Sequence, residues 1–163
     1  MHVLDRFRLH DKRVMITGGS RGLGRAMALA LAEAGADILL LGRDENSLKA
    51  TTLEIEHRDR KAQYLVADVA KPEECEQACQ RVINEFAPID VLINNVGGRR
   101  ANIPTVSMPV ATWKELIDLN LTSTFMSCRT FTPQFKQQGY GKIINVSSAC
   151  DRRSWPGWSV YSA

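Results

Sequence analysis

Residues 14–24, Val14-Met15-Ile16-Thr17-Gly18-Gly19-Ser20-Arg21-Gly22-Leu23-Gly24, join a short apolar run to a helical pattern. Beyond the glycines, Leu23, Ala26, Met27, Ala30, Leu31 and Ala34 recur at the spacing of one helix face. The glycines therefore fall in a strand-to-helix turn. Glycine lets a chain turn tightly and lets its backbone approach a bulky anion such as a pyrophosphate. The N–H groups that open the helix have no partner within it and can face phosphate oxygens. An ordinary glycine-rich turn is the plain alternative, and the flanking strand and helix weigh against it.

Outward from this turn the chain alternates. The sequence predicts strands over 13–17, 38–41, 63–66, 91–94 and 142–146. It predicts a first helix to about Ala34, closed by Gly35, and a second from the cap Asp44 towards Arg58. A third opens at Pro72, where the missing N–H costs nothing, and ends near Phe86. One long helix is expected over Ala111 to Gln138 despite Pro133. Ile38 to Leu41 is apolar throughout, as suits a strand covered on both faces. This alternation predicts the α/β class, with a doubly wound parallel sheet and right-handed crossovers. A ligand then belongs at the carboxyl ends of the strands, where their order reverses.

Composition narrows the function. A chain of 163 residues with 44% hydrophobic and 24% charged residues is one ordinary globular domain. A net charge of +3, with no aromatic-basic patch, does not argue for nucleic acid. The start of the chain lacks an apolar stretch of signal-peptide length, and no run is long enough to span a membrane. A cytoplasmic protein is expected. Cys75 and Cys79 are one helical turn apart, and with Cys128 and Cys150 they read as free thiols. The three histidines are scattered, so no metal site is expected.

The strand ends carry the candidate chemistry. After the second strand comes Gly42-Arg43, with no carboxylate before Asp44. A carboxylate there would bond a ribose 2′-hydroxyl, whereas Arg43, joined by Arg21, suits a 2′-phosphate. That favours NADP(H) over NAD(H), the alternative for each arginine being a solvated charge. Asp68-Val69 follows the third strand, where the aspartate either accepts from an adenine amino group or serves a turn. Asn94-Asn95-Val96-Gly97 follows the fourth, with amides able to tie strands and glycine leaving room for a flat ring. Ser147-Ser148 follows the fifth, and the chain runs on to Tyr161.

These segments, with Asn120, Ile144-Asn-Val-Ser-Ser148 and Tyr161-Ser-Ala163, resemble the short-chain dehydrogenase/reductase family in order and spacing. The likeness covers essentially the whole chain after Leu9, and the nearest branches are gluconate 5-dehydrogenases and 3-oxoacyl-acyl-carrier-protein reductases. The resemblance implies a Rossmann-like fold, of which this chain holds the first five strands. It also implies an NAD(P)(H)-dependent hydride transfer between nicotinamide and a carbonyl or alcohol. By resemblance Gly18, Ser20, Arg21, Gly22, Leu23, Gly24, Arg43, Asp68, Val69, Asn95, Val96 and Gly97 bind the cofactor. Tyr161 matches the general acid/base, Ser148 the serine that holds the substrate oxygen, and Asn120 a proton-relay asparagine. Val96 replaces the family's usual alanine, a small change because the backbone makes that contact. A ketone reduction builds charge on oxygen, so a donor must wait there. A tyrosine with a pKa near 10 needs a neighbouring ammonium to act at neutral pH.

In the family that ammonium belongs to a lysine one helical turn after the tyrosine, which falls just past Ala163. The chain is accordingly expected to be an NAD(P)-binding domain over 1–163, incomplete at its C-terminus and part of a longer, homo-oligomeric parent. The other expectation is a catalytically inactive nucleotide-binding fragment or subunit. Either way the fifth strand should leave an unpaired edge and expose apolar surface. Arg99-Arg100 and Arg152-Arg153 flank the substrate side, where paired arginines suit a carboxylate or phosphate and solvated loop charge is the alternative. Trp155 and Trp158 read as pocket wall or as lid packing.

Overall fold

A computed structural model describes residues 2–99, 102–153 and 155–162. Arg100 and Ala163, both named in the sequence reading, lie outside the described residues. Five strands run parallel: β1 (Arg13–Thr17), β2 (Asp37–Gly42), β3 (Ala62–Val66), β4 (Val91–Asn94) and β5 (Lys142–Asn145). Their order across the sheet is β3-β2-β1-β4-β5, so the direction of winding reverses between β1 and β4. Register is tight at that seam, with Val14, Met15 and Ile16 opposite Val91, Leu92 and Ile93.

Strand residues alternate between the two faces and each face meets its own helices. Val14 and Ile16 of β1, Ile38 and Leu40 of β2, and Val91 and Ile93 of β4 join one core. That core also takes Ala28 and Ala32 of α1 (Gly22–Glu33) and Leu48 and Ile55 of α2 (Glu45–Glu56). Met15, Leu39, Leu41 and Leu92 point the other way. They pack with Cys75, Cys79 and Val82 of α3 (Pro72–Phe86) and with the helix ending at Gln138. This is the doubly wound sheet that the alternation predicts.

Two expectations need correction. The buried stripe of α1 is Gly24, Ala28 and Ala32, while Leu23 is 70% exposed and Ala26 and Ala30 are exposed. Met27 and Leu31 of the expected face are partly buried against the core, so the face is rotated towards the small residues rather than reversed. The long helix is also divided. It comprises α4 (Val110–Ile117), a wider π-type turn over Asp118–Thr122, and α5 (Ser123–Gln138). Within the turn the Ser123 N–H reaches back to the Asp118 carbonyl. Pro133 sits on the exposed face of α5, where water can take the carbonyl it leaves unpaired.

All four residues of β5 are exposed, Ile144 by 47%, and among the described residues β5 pairs only with β4. Among the described residues no helix is long and apolar enough to cross a membrane. The four cysteines are free thiols. Phe131 of α5 is fully buried and meets Phe135 at 6.0 Å between ring centroids. Phe131→Ala should lower unfolding free energy by about 3–5 kcal/mol in urea titration, and a loss below about 1 kcal/mol would contradict this packing.

Candidate dinucleotide site

Thr17 ends β1 at 2% exposure, and its hydroxyl accepts the Asn95 and Val96 N–H groups at 3.0 and 3.2 Å. The Asn95 side-chain amide donates to the carbonyls of Thr17 and Gly18 at 3.1 and 3.3 Å. One step along, Asn94 donates to Asn145 at 2.9 Å and ties β4 to β5. The loops after β1 and β4 are thus held together where the winding reverses. Gly18 turns with φ +69°, a conformation side chains resist. A Cβ on Gly24 would overlap the Gly18 carbonyl oxygen and lie 2.6 Å from Asn95 Nδ2.

A crevice of about 850 Å³ opens above this seam. Gly18, Ser20, Arg21 and Gly22 enter it after β1, and Asn95, Val96 and Gly97 after β4. Gly42, Arg43 and Asp44 enter after β2 with Asn46 and Ser47 of α2, and Ala67, Asp68 and Val69 enter after β3. Leu119 closes one side. Ten of the twelve residues named for the cofactor therefore share one crevice. Leu23 and Gly24 do not line it: Leu23 points to solvent on the first turn of α1, and Gly24 is buried beneath the turn. Six lining residues, Gly42, Asp44, Asn46, Ser47, Ala67 and Leu119, were not among the cofactor candidates, nor was Thr17 at the end of β1. The cap pattern after β2 was the available signal for Asp44 and Ser47.

The helix starts differ in a way that bears on anions. The Asp44 carboxylate caps α2 by accepting the Ser47 N–H at 2.9 Å, and α3 carries Glu73 and Glu74 in its first turn. That Ser47 N–H holds the Asp44 carboxyl below its ordinary value, and nearby Arg21 adds to the effect. By contrast α1 has no acidic residue in its first turn, and its N-cap residue, Arg21, makes no side-chain cap bond. Its N–H groups and positive dipole end remain available to an exogenous anion. Glycines that exclude a Cβ, an uncapped helix start and a crevice over the strand reversal together fit a dinucleotide.

Asp68 does two things: Oδ1 accepts the Ala70 N–H at 3.1 Å, serving the turn, and Oδ2 meets Arg43 at 3.4 Å. Asn120 sits in the π-type turn, not in the crevice wall. Its Oδ1 accepts the Gly98 N–H at 2.8 Å, and its Nδ2 donates to the carbonyls of Gly98 and Leu116 at 3.1 and 2.9 Å. Ser148 caps the turn over Ala149–Asp151, accepting from the Cys150 N–H. Tyr161 is half-buried, its ring edge-on to Trp158 at 6.3 Å. None of Asn120, Ser148 and Tyr161 lines the crevice that ten of the cofactor candidates share.

Thr17→Val keeps the side-chain shape and strands two part-buried N–H groups. It should cost about 1–3 kcal/mol of unfolding free energy, read by urea titration, and an unchanged midpoint would remove the seam from the account.

Residues 12–163 match the family model for short chain dehydrogenases. The chain is 37% identical, over 98% of its length, to an uncharacterized oxidoreductase of Mycobacterium tuberculosis. It is 33% identical, over 94% of its length, to the 3-oxoacyl-[acyl-carrier-protein] reductase of Staphylococcus epidermidis. It covers 60% and 63% of those proteins, respectively, and so spans a little under two thirds of the curated relatives it matches. Among solved structures it superposes on a gluconate 5-dehydrogenase from Burkholderia cenocepacia in complex with NADP and tartrate. The TM-score is 0.90 and the identity 32%, over 99% of this chain and 63% of that one. A 7α-hydroxysteroid dehydrogenase complexed with NADH superposes with a TM-score of 0.92 and 25% identity, over 99% and 63% of the two chains. With its five parallel strands, reversed winding and glycine turn, the chain belongs to the short-chain dehydrogenase/reductase family.

Proposed function

We propose that this chain supplies the nicotinamide-dinucleotide site and the hydroxyl acid/base residues of a carbonyl/alcohol oxidoreductase, with NADP(H) favoured over NAD(H). The observation that carries the reading is the seam at the winding reversal, which sets the uncapped start of α1 against the Asn95–Gly97 loop across one crevice. When bound, the dinucleotide supplies or accepts the hydride. The α1 N–H groups and the turn over Gly18 to Gly24 hold its pyrophosphate. Asn95, Val96 and Gly97 flank the nicotinamide side, and Asp68 and Val69 the adenine side.

Arg43 carries the preference for a 2′-phosphate. It stands at the crevice rim after β2, 55% exposed and with only a 3.4 Å contact to Asp68. A doubly charged phosphate outcompetes one carboxylate for such a cation. Arg21 adds charge from the glycine turn. Asp44 is committed to its cap, so it is a poor ribose acceptor.

For the chemical step, Tyr161 gives its phenolic proton to the substrate oxygen in reduction and takes it back in oxidation. Ser148 donates a hydrogen bond to the same oxygen as charge builds. Asn120 holds the loop at Gly98 and the turn after α4 together, and so positions the substrate side of the ring.

Arg43→Asp should weaken NADPH binding by about tenfold or more while changing NADH binding little, measured by nucleotide fluorescence titration. Equal losses for the two cofactors would refute the 2′-phosphate role. In the full-length protein, Tyr161→Phe should abolish turnover and spare cofactor binding, and retained turnover would refute its role as acid/base.

A further inference from the structure

Arg43 and Asp68 both wall the crevice, one after β2 and one after β3. Gly42 lies opposite Val66 in the register of those strands, and the Ala67 N–H donates to the Gly42 carbonyl at 2.8 Å. The two segments therefore leave the sheet side by side, and a cation and a carboxylate face each other at the crevice rim.

The two partners are held very differently. Asp68 is fixed from behind: its own N–H donates to Glu74 Oε1 at 2.8 Å, and its Oδ1 accepts the Ala70 N–H at 3.1 Å. Oδ2 is the oxygen left to serve the crevice, and Arg43 Nη1 lies on it at 3.4 Å. Arg43 is loose. Its side chain is more than half exposed, and among the described residues its guanidinium makes no other hydrogen bond. Arg58, Arg60, Arg81 and Arg129, by contrast, sit 2.6–2.9 Å from their carboxylates. A long, solvated pair such as Arg43–Asp68 contributes little and is readily exchanged. A phosphate dianion offers the guanidinium a shorter, two-point contact.

We infer that a 2′-phosphate draws Arg43 off Asp68, and that this exchange frees Oδ2 to accept the adenine amino group. Asp68 is then a specificity-determining residue for a phosphate it never touches. With a cofactor that lacks the phosphate, Arg43 stays on Asp68 and competes with the base for the same oxygen, so the amino group goes unread. The inference rests on the proposed dinucleotide reading of the crevice and deepens it: the two ends of the adenosine are recognised together, not additively.

The test is displacement of fluorescent NADPH from this chain by four oxidised dinucleotides. These are NADP+, NAD+ and their hypoxanthine counterparts, in which an oxo group replaces the adenine amino group. That replacement should weaken NADP+ about fivefold or more and NAD+ less than about twofold. Arg43→Ala should raise the loss for NAD+ to match that for NADP+, because Asp68 is then free towards both. Asp68→Ser should bring both losses below about twofold. Equal losses for the two dinucleotides in the unaltered chain would overturn the inference, and so would a difference that survives Arg43→Ala. NADPH binding with equal losses removes the exchange alone, whereas absence of NADPH binding removes the dinucleotide reading beneath it.

Discussion

Everything distinctive in this structure depends on how closely the ends of β1 and β4 are held. Thr17 and Asn95 exchange four hydrogen bonds across that gap with Val96 and Gly18, at 3.0–3.3 Å. Parallel strands wound in opposite senses would otherwise leave two loops diverging over the sheet. Tied together, they make one wall of a crevice whose other walls are the ends of β2 and β3. The bonds are part-buried, and losing one leaves a polar group short of its partner. Asn95 leaves no room for a side chain on Gly24, which is why the glycine turn and the amide form one device.

The same constraint divides the labour among helices. Each helix start is electrostatically complete or incomplete according to what it faces. Asp44 satisfies α2 and the two glutamates suit α3, while α1 is left open towards the crevice. On the far side, the π-type turn brings Asn120 to the Gly98 backbone, so the loop after β4 is held at both ends. The crevice wall is thereby tied on both sides, while further along Arg99 lies over the Trp158 ring and the Thr105 hydroxyl meets Ser159.

Much of this was legible in the sequence because the signals are local. Arg13–Thr17, Pro72–Phe86 and Val91–Asn94 have the expected bounds, since a proline, a glycine or a change of hydrophobic period marks each end. Ten of the twelve cofactor candidates line the crevice because strand ends converge by topology alone. What was not legible depends on contacts between distant segments. The buried stripe of α1 is rotated towards the small residues Gly24, Ala28 and Ala32, so Leu23 faces solvent. The π-type turn carries Asn120, whose partner Gly98 lies 22 residues away. The pairing of Arg43 with Asp68 and the stacking of Arg99 on Trp158 are likewise invisible to spacing.

The most direct test of the account is amide hydrogen exchange on this chain with and without NADPH. Protection should rise at residues 17–24, 42–47, 67–69 and 95–98, the segments that wall the crevice, and should change little in α3 and α5. Protection confined to α3 and α5, or no change on adding saturating NADPH, would contradict the claim that the seam between β1 and β4 builds a dinucleotide site.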